Sequence, residues 1–144
     1  MIRKMFNKEK EIDEIMAIWA RGNIKNHGFI DKDYWLENYN IVKNEYLPNS
    51  VTYVYEKNNE IQGFISIMSD GYIGALFVDE KYKRNGIGRK LINYSKNLYD
   101  NLTLKVYEKN INAILFYVAM GFKNINISID ESTNEIEYTM QWRK

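Results

Sequence analysis

The 144-residue chain carries 20 Lys and Arg against 19 Asp and Glu, a formal net charge of +1, so no global field draws it to nucleic acid or to an anionic membrane. It has no Cys and a single His, His27, which excludes disulfides, a cysteine nucleophile and a multi-histidine metal centre; no metal is expected. The length suits one domain with its own core, and the 45% hydrophobic and 27% charged fractions suit a soluble protein of the reducing cytoplasm.

Residues 1–6 read as a short strand, and the charges scattered through residues 1–15 leave no apolar core for a secretory signal. Asn7 is placed to cap a helix over 8–21, where Ile12, Ile15, Met16 and Trp19 recur at helical spacing, and Gly22 is expected to end it. A linker over 22–32 holds His27, Gly28 and Phe29. A second helix follows Asp31, with Trp35, Tyr39, Val42 and Tyr46 on one face, and stops before Pro48. Residues 51–56 and 61–68 alternate and are joined at Asn58-Asn59 as a hairpin. Ser69-Asp70-Gly71 then turns the chain into 72–78, a nearly continuous apolar strand of the kind covered on both faces. A charged glycine turn at 79–86 leads into an amphipathic helix reaching about residue 99. A strand over 102–107, a helix over 111–120 closed by Gly121, and a hairpin of 122–129 and 136–142 complete the chain. The order βααβββαβαββ describes a single α/β (α+β) domain over 1–144.

The sharpest local feature is Lys83-Arg84-Asn85-Gly86-Ile87-Gly88-Arg89, between an apolar strand and a helix. Glycines two residues apart let successive backbone N–H groups turn inward, and with the helix's positive end they make an anion site. Five of the ten residues 81–90 are Lys or Arg. Leu91 stands where a dinucleotide-binding fingerprint needs its third small residue, and no Gly-Lys-Ser/Thr follows, so neither that fold nor a P-loop is indicated. Alone, the turn is equally a basic helix start.

Further on, Asn110, Ala113, Phe116-Tyr117 and Gly121-Phe122 fall into the pattern Asn-x-x-Ala-x-x-Phe-Tyr-x-x-x-Gly-Phe. With the glycine turn before it, this resembles the GNAT superfamily of N-acetyltransferases over essentially the whole chain. Ile18-Trp19, His27-Gly28-Phe29, Leu47-Pro48 and Ala75-Leu76-Phe77-Val78 are similar to small bacterial lysine or amine acetyltransferases. The resemblance implies a mixed, mostly antiparallel twisted sheet of about seven strands flanked by about four helices. It also implies acetyl-coenzyme A as donor, held through Lys83, Arg84, Asn85, Gly86, Ile87, Gly88 and Arg89 at its pyrophosphate. The family usually has Arg or Gln where this chain has Lys83, which keeps the charge and loses the planar fork. Leu76, Phe77 and Val78 would then run beside the pantetheine through their main chain. Asn110 would reach the cofactor, or simply cap the helix after it. Tyr117 would donate a proton to the leaving sulfur as general acid, against the plain reading that it belongs to an apolar stripe.

The acceptor side is less defined. An amine with a pKa of about 10.4 must lose a proton before it attacks, yet the strand 72–78 carries no carboxylate where many relatives place a Glu. His27 is the candidate base or acceptor-site residue, with a structural loop His as the alternative. Asp70 is a second candidate, more simply explained by its turn. Trp19, His27 and Phe29 are candidates for the acceptor pocket, with Tyr34, Trp35 and Tyr39 near them; for Trp19, Trp35 and Tyr39, core packing is the plainer reading. The reaction expected is transfer to a protein lysine or small primary amine by direct attack in a ternary complex, by a monomer or homodimer. The alternatives are a non-catalytic acyl-coenzyme A sensor and a toxin-like aminoacyl-tRNA acetyltransferase, the latter disfavoured by the near-neutral charge.

Overall fold

Alternating and helical apolar patterns build seven strands and four helices along residues 1–144 of the computed structural model. They are β1 (Ile2–Lys4), α1 (Glu9–Asn26), α2 (Lys32–Ile41), β2 (Val51–Lys57), β3 (Glu60–Ile67), β4 (Tyr72–Val78), α3 (Ile87–Lys96), β5 (Asn101–Tyr107), α4 (Ile111–Ala119), β6 (Lys123–Asp130) and β7 (Glu135–Arg143). The strands form one mixed sheet in the order β1-β2-β3-β4-β5-β7-β6, with β4 beside β5 as its parallel pair. No helix is long and apolar enough to cross a membrane.

Because successive strand residues point to opposite faces, the sheet carries a core on each side. Tyr53, Ile65, Leu102, Leu104 and Met140 pack with Leu91 and Ile92 of α3. Val54 and Phe64 pack on the other face with Ile15, Met16 and Trp19 of α1 and Trp35 of α2. Burial of Ile87, Leu91 and Ile92, at roughly 1.5–3 kcal/mol each, holds α3 in place, since Gly86 at its N-cap offers no side-chain bond.

Three expectations change. Asn7 does not cap α1: Lys8 holds that position without a side-chain bond. The start is tied down instead by buried Glu11, which accepts the Phe6 N–H and pairs with Arg3 at 2.6 Å. Gly22 does not end α1, which runs on to Asn26 and takes in what was expected as linker. A β-carbon on Gly22 would stand 2.4 Å from Cδ1 of Phe77, so the glycine serves helix-to-strand contact rather than termination. After Ile41 the turn widens, with Leu47 N–H bonding the Val42 carbonyl at 2.8 Å. That shift puts Leu47 (5% exposed) in the core and leaves Tyr46 (52%) outside it.

β4 and β5 pair only at Tyr72↔Thr103 and Ile73↔Leu104. Beyond them β4 keeps β3 on one side and has no strand on the other. The divergence begins where β4 bulges: Ser66 faces Ala75 and Ile67 faces Ile73, so Gly74 is the extra residue.

Candidate active site

The turn after β4 carries two left-handed residues, Arg84 (φ 71°) and Gly86 (φ 72°). Gly86 meets that geometry without the steric penalty of a side chain, and α3 starts at the next residue. A cavity of about 820 Å³ lies against this turn, lined by Lys83, Arg84, Gly86, Ile87, Gly88 and Arg89, and on its far side by Asn110, Phe116 and Tyr117. Lys83 is held by Glu80 at 3.0 Å and reaches Asn26 Oδ1 at 3.5 Å, which leaves Arg84 and Arg89 as the cations free to meet a ligand. Asn85 stands outside the wall and donates to the Tyr82 carbonyl at 2.9 Å. Unpaired guanidinium groups beside a helix N-terminus suit a polyanion.

The gap between β4 and β5 holds a second cavity of about 280 Å³. Leu76 and Phe77 line both cavities, and Val78 the larger. Asp79 N–H bonds the Gln62 carbonyl of β3; by strand alternation the N–H groups of Leu76 and Val78 therefore face the gap. Tyr117 of α4 and Asn110 also line both cavities. Desolvation is the sole cause raising the Tyr117 phenol above its ordinary pKa, so the hydroxyl is protonated at neutral pH and engages no neighbouring charge. Asn110 caps α4, its Oδ1 accepting from Ala113 N–H at 3.4 Å, and its Nδ2 lies 3.3 Å from His27 Nε2.

His27 and Trp35 roof the smaller cavity with Trp19. The imidazole is 8% exposed, stacks on Trp35 with centroids 5.1 Å apart, and has no partner for Nδ1. Burial pushes its pKa down to about 4, so the ring is neutral at physiological pH. Phe29 lines neither cavity; it packs edge-on against His27 and Tyr107. Tyr39 packs edge-on against Trp19 in the core, and Asp70 accepts Tyr72 N–H in its turn.

Residues 27–142 match the family model for an acetyltransferase (GNAT) domain. The chain belongs to the GNAT acetyltransferase family. The peptidyl-lysine N-acetyltransferase YiaC of Escherichia coli strain K12 is 34% identical over 142 residues, 99% of this chain and 96% of that protein. The peptidyl-lysine N-acetyltransferase YjaB of the same strain is 30% identical over 118 residues, 81% of this chain and 79% of that one. The solution structure of apo-form YjaB superimposes with a TM-score of 0.84 at 28% identity, covering 99% of this chain and 96% of that chain. An aminoglycoside 6'-N-acetyltransferase complexed with coenzyme A shares the fold, with a TM-score of 0.73 at 14% identity over 99% of this chain and 96% of that one.

As a GNAT member the protein is an acyltransferase that acts on nitrogen. The smaller cavity contains a carboxylate that the sequence pattern did not single out, Glu137 of β7. Glu137 sits opposite Tyr107 in the β5–β7 ladder, and its side chain is 14% exposed. Desolvation and nearby Asp130 raise its pKa, with Lys105 at 3.8 Å opposing them. The alternation of β7 was visible, but which parity faces a cavity depends on the pairing with β5, and no local signal carries that.

Proposed function

We propose that this GNAT enzyme transfers the acetyl group of acetyl-coenzyme A to the side-chain amine of a peptide lysine. The observation that carries the reading is the meeting of two cavities, one along the basic turn and one under α1 and α2, at a shared wall that includes Asn110 and Tyr117. The coenzyme's pyrophosphate lies on the Gly86 turn with Arg84 and Arg89 beside it. Its pantetheine takes the place of the missing strand next to Leu76, Phe77 and Val78, whose inward N–H groups bond its amides and the thioester oxygen. The acceptor enters from the other face of the sheet beneath Trp19, His27 and Trp35. Its nitrogen attacks the thioester directly, and Tyr117 protonates the departing sulfur. Neutral His27 acts by holding Asn110 rather than as the base, because a group with a pKa of about 4 takes a proton from an ammonium poorly. Lysine as acceptor draws support from YiaC and YjaB, both named for peptidyl-lysine acetylation. We place the reaction in the bacterial cytoplasm, with no nucleic-acid or membrane partner, in a monomer or homodimer.

The test is initial-rate kinetics with acetyl-coenzyme A and a lysine peptide, following thiol release and peptide mass. Intersecting double-reciprocal lines and an acetylated lysine are expected. Coenzyme binding with no thiol release across a panel of amines would instead make the protein a sensor.

A further inference from the structure

The acetyl-transfer reading leaves one chemical requirement unmet, the removal of a proton from an acceptor that is an ammonium ion at neutral pH. On β7, Tyr138, Met140 and Trp142 face the α3–α4 core, so alternation turns Glu137 to the α1–α2 face, the side from which the acceptor enters. Tyr107, its cross-strand neighbour on β5, packs in the core of that same face. The carboxylate therefore lies in the wall of the cavity that also contains Tyr117. We propose that Glu137 binds the ammonium group of a cationic alkylamine acceptor and takes its proton; this rests on the acetyl-transfer reading above.

The charged and titratable groups around Glu137 come from every neighbouring element. Lys105 and Tyr107 lie on β5, Asp130 on β6, Tyr72 on β4, Tyr34 on α2, His27 at the end of α1 and Tyr117 on α4. Lys105, at 3.8 Å, is too distant for a short charge-assisted bond. Asp130 is engaged by the Tyr107 hydroxyl at 2.6 Å. His27 is neutral, and the tyrosines are held protonated by burial. Glu137 is thus the one carboxylate lining this cavity, and its ion-pair partner Lys105 stands 3.8 Å away. Burial and the neighbouring Asp130 carboxylate raise its pKa above the usual glutamate value, the direction that makes it a stronger base.

The step balances as follows. The carboxylate takes one proton from the ammonium, and the freed lone pair forms the C–N bond at the thioester carbonyl. The C–S bond breaks, the sulfur leaves with the bonding pair and takes the Tyr117 proton, and the second proton shed by nitrogen returns to the Tyr117 oxygen. Glu137 then releases its proton to solvent.

The test compares wild type, Glu137→Gln and Glu137→Asp across pH with two acceptors, a lysine peptide and an arylamine already neutral at assay pH. For wild type with lysine, kcat/KM is expected to rise through the Glu137 pKa and level off. For Glu137→Gln it should be lower by about a hundredfold near neutrality and keep rising toward the acceptor's own pKa, because only pre-deprotonated amine then reacts. The arylamine rate should fall by far less than the lysine rate in the Gln variant, and Glu137→Asp should retain the plateau at reduced height. Equal losses for both acceptors, or a plateau preserved in Glu137→Gln, would overturn the role. A wild type that releases no thiol with any amine would instead overturn the reading of the whole site, and this role with it.

Discussion

His27 gives the most quantitative prediction. It is the sole histidine, so its ring signals are unambiguous in a proton spectrum, and burial lowers its pKa from 6.5 to about 4. Above about pH 6.5 the ring is neutral in folded and unfolded chains alike and contributes no pH dependence. As pH falls below that, the unfolded chain binds a proton that the folded chain refuses, so stability declines until the folded pKa is reached. At ~1.4 kcal/mol per pH unit, the interval amounts to about 3 kcal/mol lost between neutrality and pH ~4. His27→Phe keeps a ring to stack on Trp35 and removes the titration.

Urea melts at both pH values for both proteins isolate this contribution, since every other titrating group is shared. Wild type should lose about 3 kcal/mol more than the variant over the interval, whatever the variant's own offset at neutrality. The imidazole C–H shifts should not titrate above about pH 5. Matching acid slopes, or a shift titrating near 6.5, would refute the buried neutral ring and restore His27 as a candidate base.

Tyr117→Phe should lower kcat by about a hundredfold while coenzyme A binds almost as before; unaltered turnover would remove its role as acid. Arg84→Ala and Arg89→Ala should each weaken coenzyme A by about tenfold in titration calorimetry and flatten the salt dependence of Kd, and an unchanged salt slope would place the phosphates elsewhere. Gly22→Ala adds helix propensity worth about 1 kcal/mol but pushes a methyl into the Phe77 ring. Overpacking should win, for a net destabilisation of about 1–2 kcal/mol by urea melt; a stabilised variant would mean that Phe77 moves aside freely.

The basic turn of the candidate site was legible because an anion site needs backbone donors, glycine and cations within a few residues of one another, and Arg84, Gly86 and Arg89 stand together in one turn along the larger cavity. The Asn110–Tyr117 pattern was readable for the same reason, since one short helix carries both side chains. What escaped depends on neighbours far along the chain: Gly22 answers to Phe77, and Glu137 to its pairing with Tyr107. The widened turn at 42–46 escaped because Tyr46 and Leu47 are both apolar, and periodicity cannot choose between them.

β4 shows how such a choice creates the site. With strict alternation, Ile73, Ala75 and Phe77 would share a face. The bulge at Gly74 instead sends Ile73, Leu76 and Val78 to the α3–α4 core and Ala75 and Phe77 to the α1–α2 core. A strand that changes face midway must be apolar at both parities, which accounts for the unbroken run from Ile73 to Val78. The same residue marks the end of pairing with β5, so the inversion and the open edge arise together. Gly22 then lets α1 press on Phe77 just beyond the bulge, supporting from behind the segment whose Leu76 and Val78 amides face the gap. Flattening β4 by removing the bulge would let β5 continue its ladder and close the gap that holds the smaller cavity and exposes Tyr117 to it.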